Sequence, residues 1–179
     1  MLKRIAVVVL LLIAVPLVVI LALAATQPDT FRVQRAIAIK APPEKIFPLI
    51  NDFHAWGAWS PYEKKDPGMK RTLSAAATGK GAVYEWDGDS SVGAGRMEIT
   101  ESSPSSKVAL NLDMIKPLTA HNVVDFTLEP EGDATTVTWA MKGEAPYYAK
   151  VIHVFFDMDN MVGADFEAGL ANLKAIAEK

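Results

Sequence analysis

Side chains that commonly carry out chemistry are few in this chain and lie far apart. Its 179 residues include three histidines, His54, His121 and His153, and no cysteine. None of the histidines belongs to an H-x-x-x-H or H-E-x-x-H pattern, which would bring two rings to one helix face around zinc. We therefore expect all three at the surface or at a rim. We predict no metal site, no cofactor and no thiol nucleophile.

Other patterns with a chemical meaning fit structural roles better. The chain has no G-x-S-x-G elbow, although its composition leaves a Ser-His-Asp arrangement open. Gly79-Lys80-Gly81 and Gly93-Ala94-Gly95 lack the P-loop spacing and a following helix, so they indicate hairpin turns or bulges. Acidic residues near the C-terminus are spaced so that they do not converge on one helix face, which indicates a solvated surface. They are Asp157, Asp159, Asp165 and Glu167.

Aromatic and methionine side chains form the more informative set. Tyr84 and Trp86 share a strand face, while Trp56 and Trp59 belong to a segment that would cap a cavity. One interpretation is a filled core. The other is a cavity left partly open for an apolar ligand, in which flexible methionines adapt to the ligand. The residues predicted to line it are Trp56, Trp59, Tyr84, Trp86, Met97, Leu112, Met114, Phe126, Trp139, Phe155 and Met158.

The elements that would position these side chains begin with a strand and a helix. Apolar and polar residues alternate over residues 31–40, which predicts a half-buried strand. Arg35 interrupts its apolar face and lies either near the strand end or in an ion pair. Pro42-Pro43-Glu44 begins a helix that ends near residue 51 or 52. Residues 53–62 contain four aromatic residues around a glycine and a proline, which indicates a compact segment rich in turns.

Six more strands and a final helix follow. Apolar residues at three- and four-residue steps predict one C-terminal helix of about 30 residues, in which Gly163 and Gly169 mark a bend or a close contact. Strands bracketed by helices indicate an α+β fold with helices on one face of an antiparallel sheet. The six strands are placed near residues 69–74, 82–88, 93–102, 107–114, 120–130 and 134–142.

An uncharged run fills residues 5–25, 21 positions that follow Lys3 and Arg4. As a helix it would be about 31 Å long, close to the roughly 30 Å hydrocarbon core of a bilayer. This length favours a membrane anchor over a cleaved secretory signal, whose apolar core usually has about 7–15 residues. Ala22-Leu23-Ala24 nevertheless fits a signal-peptidase site. A buried helix of a soluble core is the third interpretation, but such a helix normally has a polar stripe.

Net charge and chain length indicate the domain organisation and the location of the protein. The net charge is −3, or −5 without Lys3 and Arg4, and the scattered basic residues argue against nucleic-acid binding. We predict an anchor or signal over residues 1–26, a linker over residues 27–30 and one domain over residues 31–179. Long domains translocate largely regardless of flanking charge. We therefore expect the domain on the periplasmic side of the cell membrane, held by a single span or released after cleavage near Ala24.

The order of these elements and several motifs resemble a known superfamily. The chain is similar to the SRPBCC or START-like helix-grip superfamily of START domains, Bet v 1 allergens and polyketide cyclases, and within it to the bacterial polyketide cyclase/dehydrase-like branch. The resemblance covers residues 31–178. It implies a curved antiparallel sheet of about seven strands that grips the long helix around an apolar cavity, and it carries over no catalytic residues. The motifs are IKAPPEKIF at 39–47, WSPY at 59–62, GKGAVYEW at 79–86, GAGRMEI at 93–99, TTVTW at 135–139 and GADFEAGLANLK at 163–174.

Three functions are compatible with these observations. We predict that the domain binds a hydrophobic small molecule or a lipid in the cavity and catalyses no reaction. The alternative is a cyclase or dehydratase acting on a polyketide-like or lipid substrate, which needs a titratable group in an apolar setting. Arg35 and Glu85 are the nearest candidates. A structural envelope protein is the third, and it predicts a cavity well below the ~300 Å³ of typical ligand sites.

Overall fold

The computed structural model describes residues 2–179, and within the first helix it describes no side chain at positions 2, 3 and 6–9. That helix, α1, runs over Leu2–Thr26 and continues through Pro16. Most of its described large apolar side chains are exposed. Among the described residues, no helix has the length and hydropathy of a membrane span. The transmembrane character predicted for residues 1–26 therefore has no support from the structure, and the start of that segment at Met1 lies outside the described residues.

One antiparallel sheet of seven strands forms the body of the domain, which confirms the predicted α+β architecture. Its strand order is β1-β7-β6-β5-β4-β3-β2, so the edges are β1 and the short β2. Because side chains alternate between the faces of a strand, the large buried side chains of β1 and β3–β7 lie mainly on the concave side. The strands are β1 Thr30–Ile39, β2 Lys70–Leu73, β3 Val83–Asp87, β4 Ala94–Ser103, β5 Lys107–Lys116, β6 Ala120–Glu131 and β7 Ala134–Glu144.

Short helices fill the connection between β1 and β2 and pack against the concave side. Helix α2 covers Pro43–Asn51, with proline in the first turn, where its missing N–H costs nothing. A 3₁₀ turn over Phe53–Ala55 follows. Helices α3, Trp56–Trp59, and α4, Tyr62–Lys65, complete the segment predicted to be rich in turns.

The predicted single C-terminal helix is wrong, because the structure divides it into two. Helix α5 covers Tyr147–His153 and helix α6 covers Met158–Ala177. Asp157 ends the break as the N-cap of α6, where its carboxylate accepts the backbone N–H of Asn160. An N-cap satisfies amide donors that a continuous helix would bond internally, so this residue starts a new helix. The three- and four-residue apolar spacing continues across the break and does not reveal it.

Side chains of β1 and α6 tie the long helix to the edge of the sheet. Arg35 is in an ion pair, one of the two alternatives for this residue, and binds Asp159 at 3.0 Å and Glu167 at 2.6 Å. Gly163 makes room for it, since a Cβ there would lie 2.1 Å from the guanidinium. Asp165 accepts a hydrogen bond from Lys65 at 2.6 Å. The acidic residues predicted to form a solvated surface are therefore largely paired.

Backbone groups at and just after the end of β1 are also bound by the C-terminal part of α6 and its C-cap residue. The ammonium of Lys174 donates to the carbonyl of Ala38 at 2.6 Å. The carboxylate of Glu178 accepts the backbone N–H of Lys40 at 2.7 Å. Helix α6 thus contacts β1 through apolar packing, an ion-pair network and main-chain hydrogen bonds.

Candidate functional site

The residues predicted to line a cavity fall into three groups in the structure. Five are buried, with at most 4% of their surface exposed: Trp56, Trp59, Tyr84, Phe126 and Trp139. Four are half-buried on the concave side: Trp86, Met97, Leu112 and Met114. The last two lie near the break between α5 and α6: Phe155 is exposed in the break, and Met158 is half-buried at the first position of α6.

Four of the buried residues form an aromatic cluster with Phe166 of α6. The rings of Trp139 and Phe166 are stacked with centroids 4.1 Å apart, and Trp59 meets the edges of Phe126 and Trp139 at 6.0 and 5.6 Å. The indole N–H groups of Trp56 and Trp59 donate to carbonyls of α2 at 2.9 and 2.8 Å. The cluster comprises Trp56, Trp59, Phe126, Trp139 and Phe166.

This aromatic cluster fills the space between the sheet and the middle of α6. Gly169 of α6 lies so close to Trp139 that a Cβ would be 2.7 Å from the indole ring. Such contact leaves no room for a ligand there, since rings in mutual contact occupy the volume that a cavity would need. Gly169 therefore marks a close contact, one of the two alternatives that the sequence left open.

The four half-buried residues form an apolar surface that we call the concave patch: Trp86, Met97, Leu112 and Met114. Strand pairing brings Met97 of β4 opposite Leu112 of β5, and Trp86 opposite Gly95, which in turn pairs with Met114. The Trp86 ring lies across Gly95, where a Cβ would be 2.4 Å from it. The patch thus extends over β3, β4 and β5 beside the aromatic cluster, and part of it stays accessible.

A buried amide adjoins the concave patch. Asn122 of β6 pairs with Leu112 and is 8% exposed, yet its Oδ1 has no hydrogen-bond partner in the described part of the chain. The amide lies over Gly143, where a Cβ would be 2.1 Å from Oδ1, and beside the ring of Phe31. A buried polar atom without a partner costs about 1–3 kcal/mol. Asn122 therefore lowers the stability of the fold, so a contribution to stability does not explain why an asparagine occupies this position.

Sequence analysis did not select Asn122, although a signal was present. The alternation of β6 places Val124 and Phe126 on the concave face, and the same period of two places Asn122 there. A single amide at an inward position of an apolar strand is the pattern that could have revealed it. Among the residues that the structure describes, Trp139 also has a buried polar atom without a partner, its Nε1, and it belongs to the packed aromatic cluster.

Two open hollows on the described part of the chain are large enough for a ligand, and neither lies between the sheet and the middle of α6, where the cavity was predicted. The larger, about 800 Å³, lies mainly on the outer face of the sheet among side chains such as Arg32, Lys142 and Asp113. The smaller, about 610 Å³, lies between β1 and residues 153–159. Both exceed the ~300 Å³ of typical ligand sites, but no residue of the aromatic cluster lines either of them. The larger has mostly polar lining residues, Asn122 among them. The smaller has a mixed lining that includes Phe155 and Met158, two of the residues predicted to line the cavity.

The titratable groups near the concave side are engaged in structural contacts. Tyr84 donates a hydrogen bond to Glu63, and Arg71 donates to the other oxygen of that carboxylate at 2.6 Å. Burial raises the pKa of the Tyr84 hydroxyl, and the contact with Glu63 adds to the shift. Arg35 is held by its two carboxylates, and Glu85 lies exposed near Arg96 at 3.7 Å. Neither residue named for the enzymatic alternative faces the concave patch with a free group.

Each of the three histidines contacts a different partner in the structure. His54 and His121 are exposed and contact Asp52 and Asp113 at 2.9 and 2.7 Å. His153 meets the ring of Phe31 edge-on at 6.1 Å. Within residues 2–179, the described side chains include no group of three histidine, aspartate or glutamate residues placed to hold a metal ion.

Comparison with protein families identifies the class of this chain. Residues 30–178 match the family described as Polyketide cyclase / dehydrase and lipid transport. The chain belongs to this family, as the resemblance predicts, and the match covers the whole domain that follows α1. No curated protein matches the chain in sequence.

Solved structures with similar folds agree with this assignment. Protein CV1439 from Chromobacterium violaceum is 18% identical, with a TM-score of 0.60 over 86% of this chain and 99% of that protein. The Aha1 dimer from Colwellia psychrerythraea is 18% identical, with a TM-score of 0.59 over 83% and 96%. The di-domain ARO/CYC StfQ from the steffimycin biosynthetic pathway is 9% identical, with a TM-score of 0.59 over 83% and 51%. At such identities the likeness shows the helix-grip fold alone.

Proposed function

We propose that this protein binds a hydrophobic small molecule or a lipid on the concave patch and catalyses no reaction. The observation that carries the proposal is the unpartnered Oδ1 of Asn122 next to the half-buried Leu112. Oδ1 is closed off against Gly143, so a ligand reaches this acceptor only when the amide turns toward the patch. An apolar surface beside one polar group with an unmet hydrogen bond is typical of small-molecule sites, in which few polar groups fix the orientation of an apolar ligand. The family description, which includes lipid transport, supports the same class of ligand.

The chemistry of the site defines the ligand further. Oδ1 of Asn122 is an acceptor, so its partner must be a donor such as a hydroxyl or an amide N–H. The thioethers of Met97 and Met114 adapt their shape at low cost, which suits a flexible chain or a ring system. The expected ligand is therefore a mainly apolar molecule with one donor group near one end.

The proposal includes a place for the protein at the membrane. Residues 5–25 carry no charge and are long enough for an anchor. On this basis the domain is membrane-anchored on the periplasmic side, or exported after cleavage near Ala24. This part of the proposal depends on the sequence, because no spanning helix was found among the described residues.

Native mass spectrometry of the full chain, extracted from its own membranes under mild conditions, tests the binding proposal. We expect an apolar molecule to copurify. Replacing Asn122 with leucine should lower its occupancy about tenfold, the equivalent of one lost hydrogen bond. The same change should leave stability unchanged or higher by about 1–3 kcal/mol, since an unpartnered buried group is removed.

The matched control for that variant is Asn111→Leu, because Asn111 lies on the neighbouring strand but is exposed on the outer face. The control should retain normal occupancy. Repeated recovery of empty protein, or equal occupancy in both variants, would contradict the proposed site.

A cyclase or dehydratase activity is the second candidate, because the family description names it. Glu63 is the carboxylate that Tyr84 contacts on the concave side, but both of its oxygens are bound, by Arg71 and Tyr84. We therefore expect the copurified molecule to keep its mass during incubation with the protein. Loss of the mass of one water, or a change of structure at constant mass, would favour the enzyme.

A further inference from the structure

Large apolar side chains are exposed together at one end of the domain. They come from two places: the end of β5 with the loop that follows it, and α5 with the segment before α6. Each is between 39% and 62% exposed. We call this set the apolar rim: Ile115, Leu118, Tyr148, Ile152, Phe155 and Phe156. Soluble monomers rarely leave such a contiguous group uncovered.

Hydrogen bonds and helix packing join the two parts of the rim to each other and to α1. The hydroxyl of Tyr148 donates to the carbonyl of Thr119 at 3.2 Å, which connects α5 with the β5–β6 loop. The neighbouring Tyr147 donates to the carbonyl of Leu21 at 2.8 Å, which connects α5 with α1. Ala24 has no exposed surface. The rim therefore continues directly into the apolar surface of α1.

The contact between Tyr147 and Leu21 shows how far along the axis of α1 the helix α5 lies. Leu21 lies five residues before the end of α1 at Thr26, which is about 7.5 Å along a helix. If α1 spans the bilayer as proposed above, Tyr147 lies about that far below the end of the anchor. Helices that rest in a membrane interface bury their apolar face by about 5–10 Å, and tyrosine is enriched at that level.

We propose that the apolar rim inserts into the interfacial layer of the lipid bilayer beside α1. This inference depends on the proposed anchoring. Insertion of the rim also explains how a lipid reaches the concave patch. Met114 of the patch immediately precedes Ile115 of the rim. Asn122, which adjoins the patch, lies three residues after Thr119, whose carbonyl Tyr148 of the rim contacts. The patch thus lies next to the rim, and a lipid can reach it from the bilayer without crossing water.

Nitroxide depth measurement on the full chain tests the rim. The chain has no cysteine, so single cysteines can be introduced at Leu118 and Phe155 and labelled cleanly. The protein is reconstituted into vesicles of phosphatidylcholine and phosphatidylglycerol. Collision rates are then measured with oxygen, which concentrates in lipid, and with a nickel chelate, which stays in water. Labels at both positions should show a ratio of oxygen to nickel collisions several-fold above that of the control.

The control label replaces Asp133, in the β6–β7 turn at the opposite end of the sheet. Strand β6 has 12 residues and spans roughly 36 Å, so this label should stay in water. A further label at Val15 reports on α1 itself. Lipid contact at Val15 together with water contact at Leu118 and Phe155 overturns the rim but leaves the anchor standing.

The remaining outcomes are equally decisive. Water contact at Val15 overturns the anchor and the rim together. Low collision rates with both reagents at Leu118 and Phe155 mean that a protein covers the rim, which overturns its insertion into lipid. Empty protein in mass spectrometry with both rim labels in lipid overturns ligand binding, and the rim stands.

Discussion

Single residues decide whether space between the sheet and α6 is filled or open. Period-two alternation in the sequence identifies inward residues such as Trp139, but it contains no information about what lies opposite them. The stack of Trp139 on Phe166 depends on the close approach of Gly169, which lies 30 positions after Trp139 in the sequence. The sequence therefore predicts four of the five members of the aromatic cluster, all except Phe166, but not that their rings exclude a ligand.

Adding one methyl group at the close contact tests this packing. Gly169→Ala should lower the free energy of unfolding by roughly 1–3 kcal/mol, because its Cβ would overlap the buried ring of Trp139 and Cδ of Pro61. Denaturant unfolding gives the value. Gly57→Ala in α3 is the control, since nothing lies within 4 Å of its added Cβ. An equal effect of both substitutions, or a more stable Gly169 variant, would show that the rings have room to move.

The positions of the secondary-structure elements were predicted more completely than the side-chain contacts that join one element to another. The strands lie within a few residues of their predicted positions, because each has one buried face and ends at a turn signal. The break before α6 escaped prediction, since the Asp157 N-cap lies within a continuous apolar pattern. Ion pairs that join α6 to β1 link residues more than 120 positions apart, and short-range patterns contain no information about them.

The pH dependence of stability should reveal the attachment of α6 to β1. A hydrogen bond from Arg35 holds the pKa of Asp159 below its ordinary value. The folded state therefore binds this proton less readily than the unfolded state. Its contribution to stability is complete above the ordinary aspartate pKa of about 3.9, and it is lost as the pH falls through the lower folded value.

Asp159→Asn removes this effect. We expect the variant to have a lower Tm than the native chain at pH 6–7, and the difference to shrink as the pH falls below about 4. Thermal unfolding followed by circular dichroism over this pH range measures the difference. Asp133→Asn, in the β6–β7 turn, is the control. A difference in Tm that does not vary with pH would contradict the role of the ion pair.

For the whole molecule, the main question is how α1 relates to the domain behind it. The family match begins at residue 30, yet α1 packs against α5, whose Tyr147 donates a hydrogen bond to the carbonyl of Leu21. Composition predicted an independent segment and a short linker. Composition could not predict the contact with α5, because an apolar helix has no distinctive face from which a partner can be inferred.

Removing residues 1–25 should leave a folded domain with a loosened α5. The aromatic cluster involves no residue of α1, so the amides of β4–β7 should keep their protection in hydrogen exchange. Amides of α5 should exchange faster, since the helix loses its packing partner. Tyr147→Phe in the full chain is the control, because it removes only the bond to Leu21. Aggregation of the truncated chain, or loss of protection in the sheet, would show that α1 belongs to the core.

The hydrogen bonds between α6 and β1 have a consequence for how the molecule behaves in a crowded compartment. An exposed edge strand offers unpaired backbone groups to other chains and invites intermolecular sheet formation. Lys174 and Glu178 occupy such groups at Ala38 and Lys40. The opposite edge, β2, is only four residues long and includes two basic residues. The C-terminal end of β1 is thus covered by α6, and β2 offers only a short edge. Each edge therefore leaves less backbone open to strand addition, which lowers the tendency of a chain rich in exposed apolar surface to aggregate through its sheet.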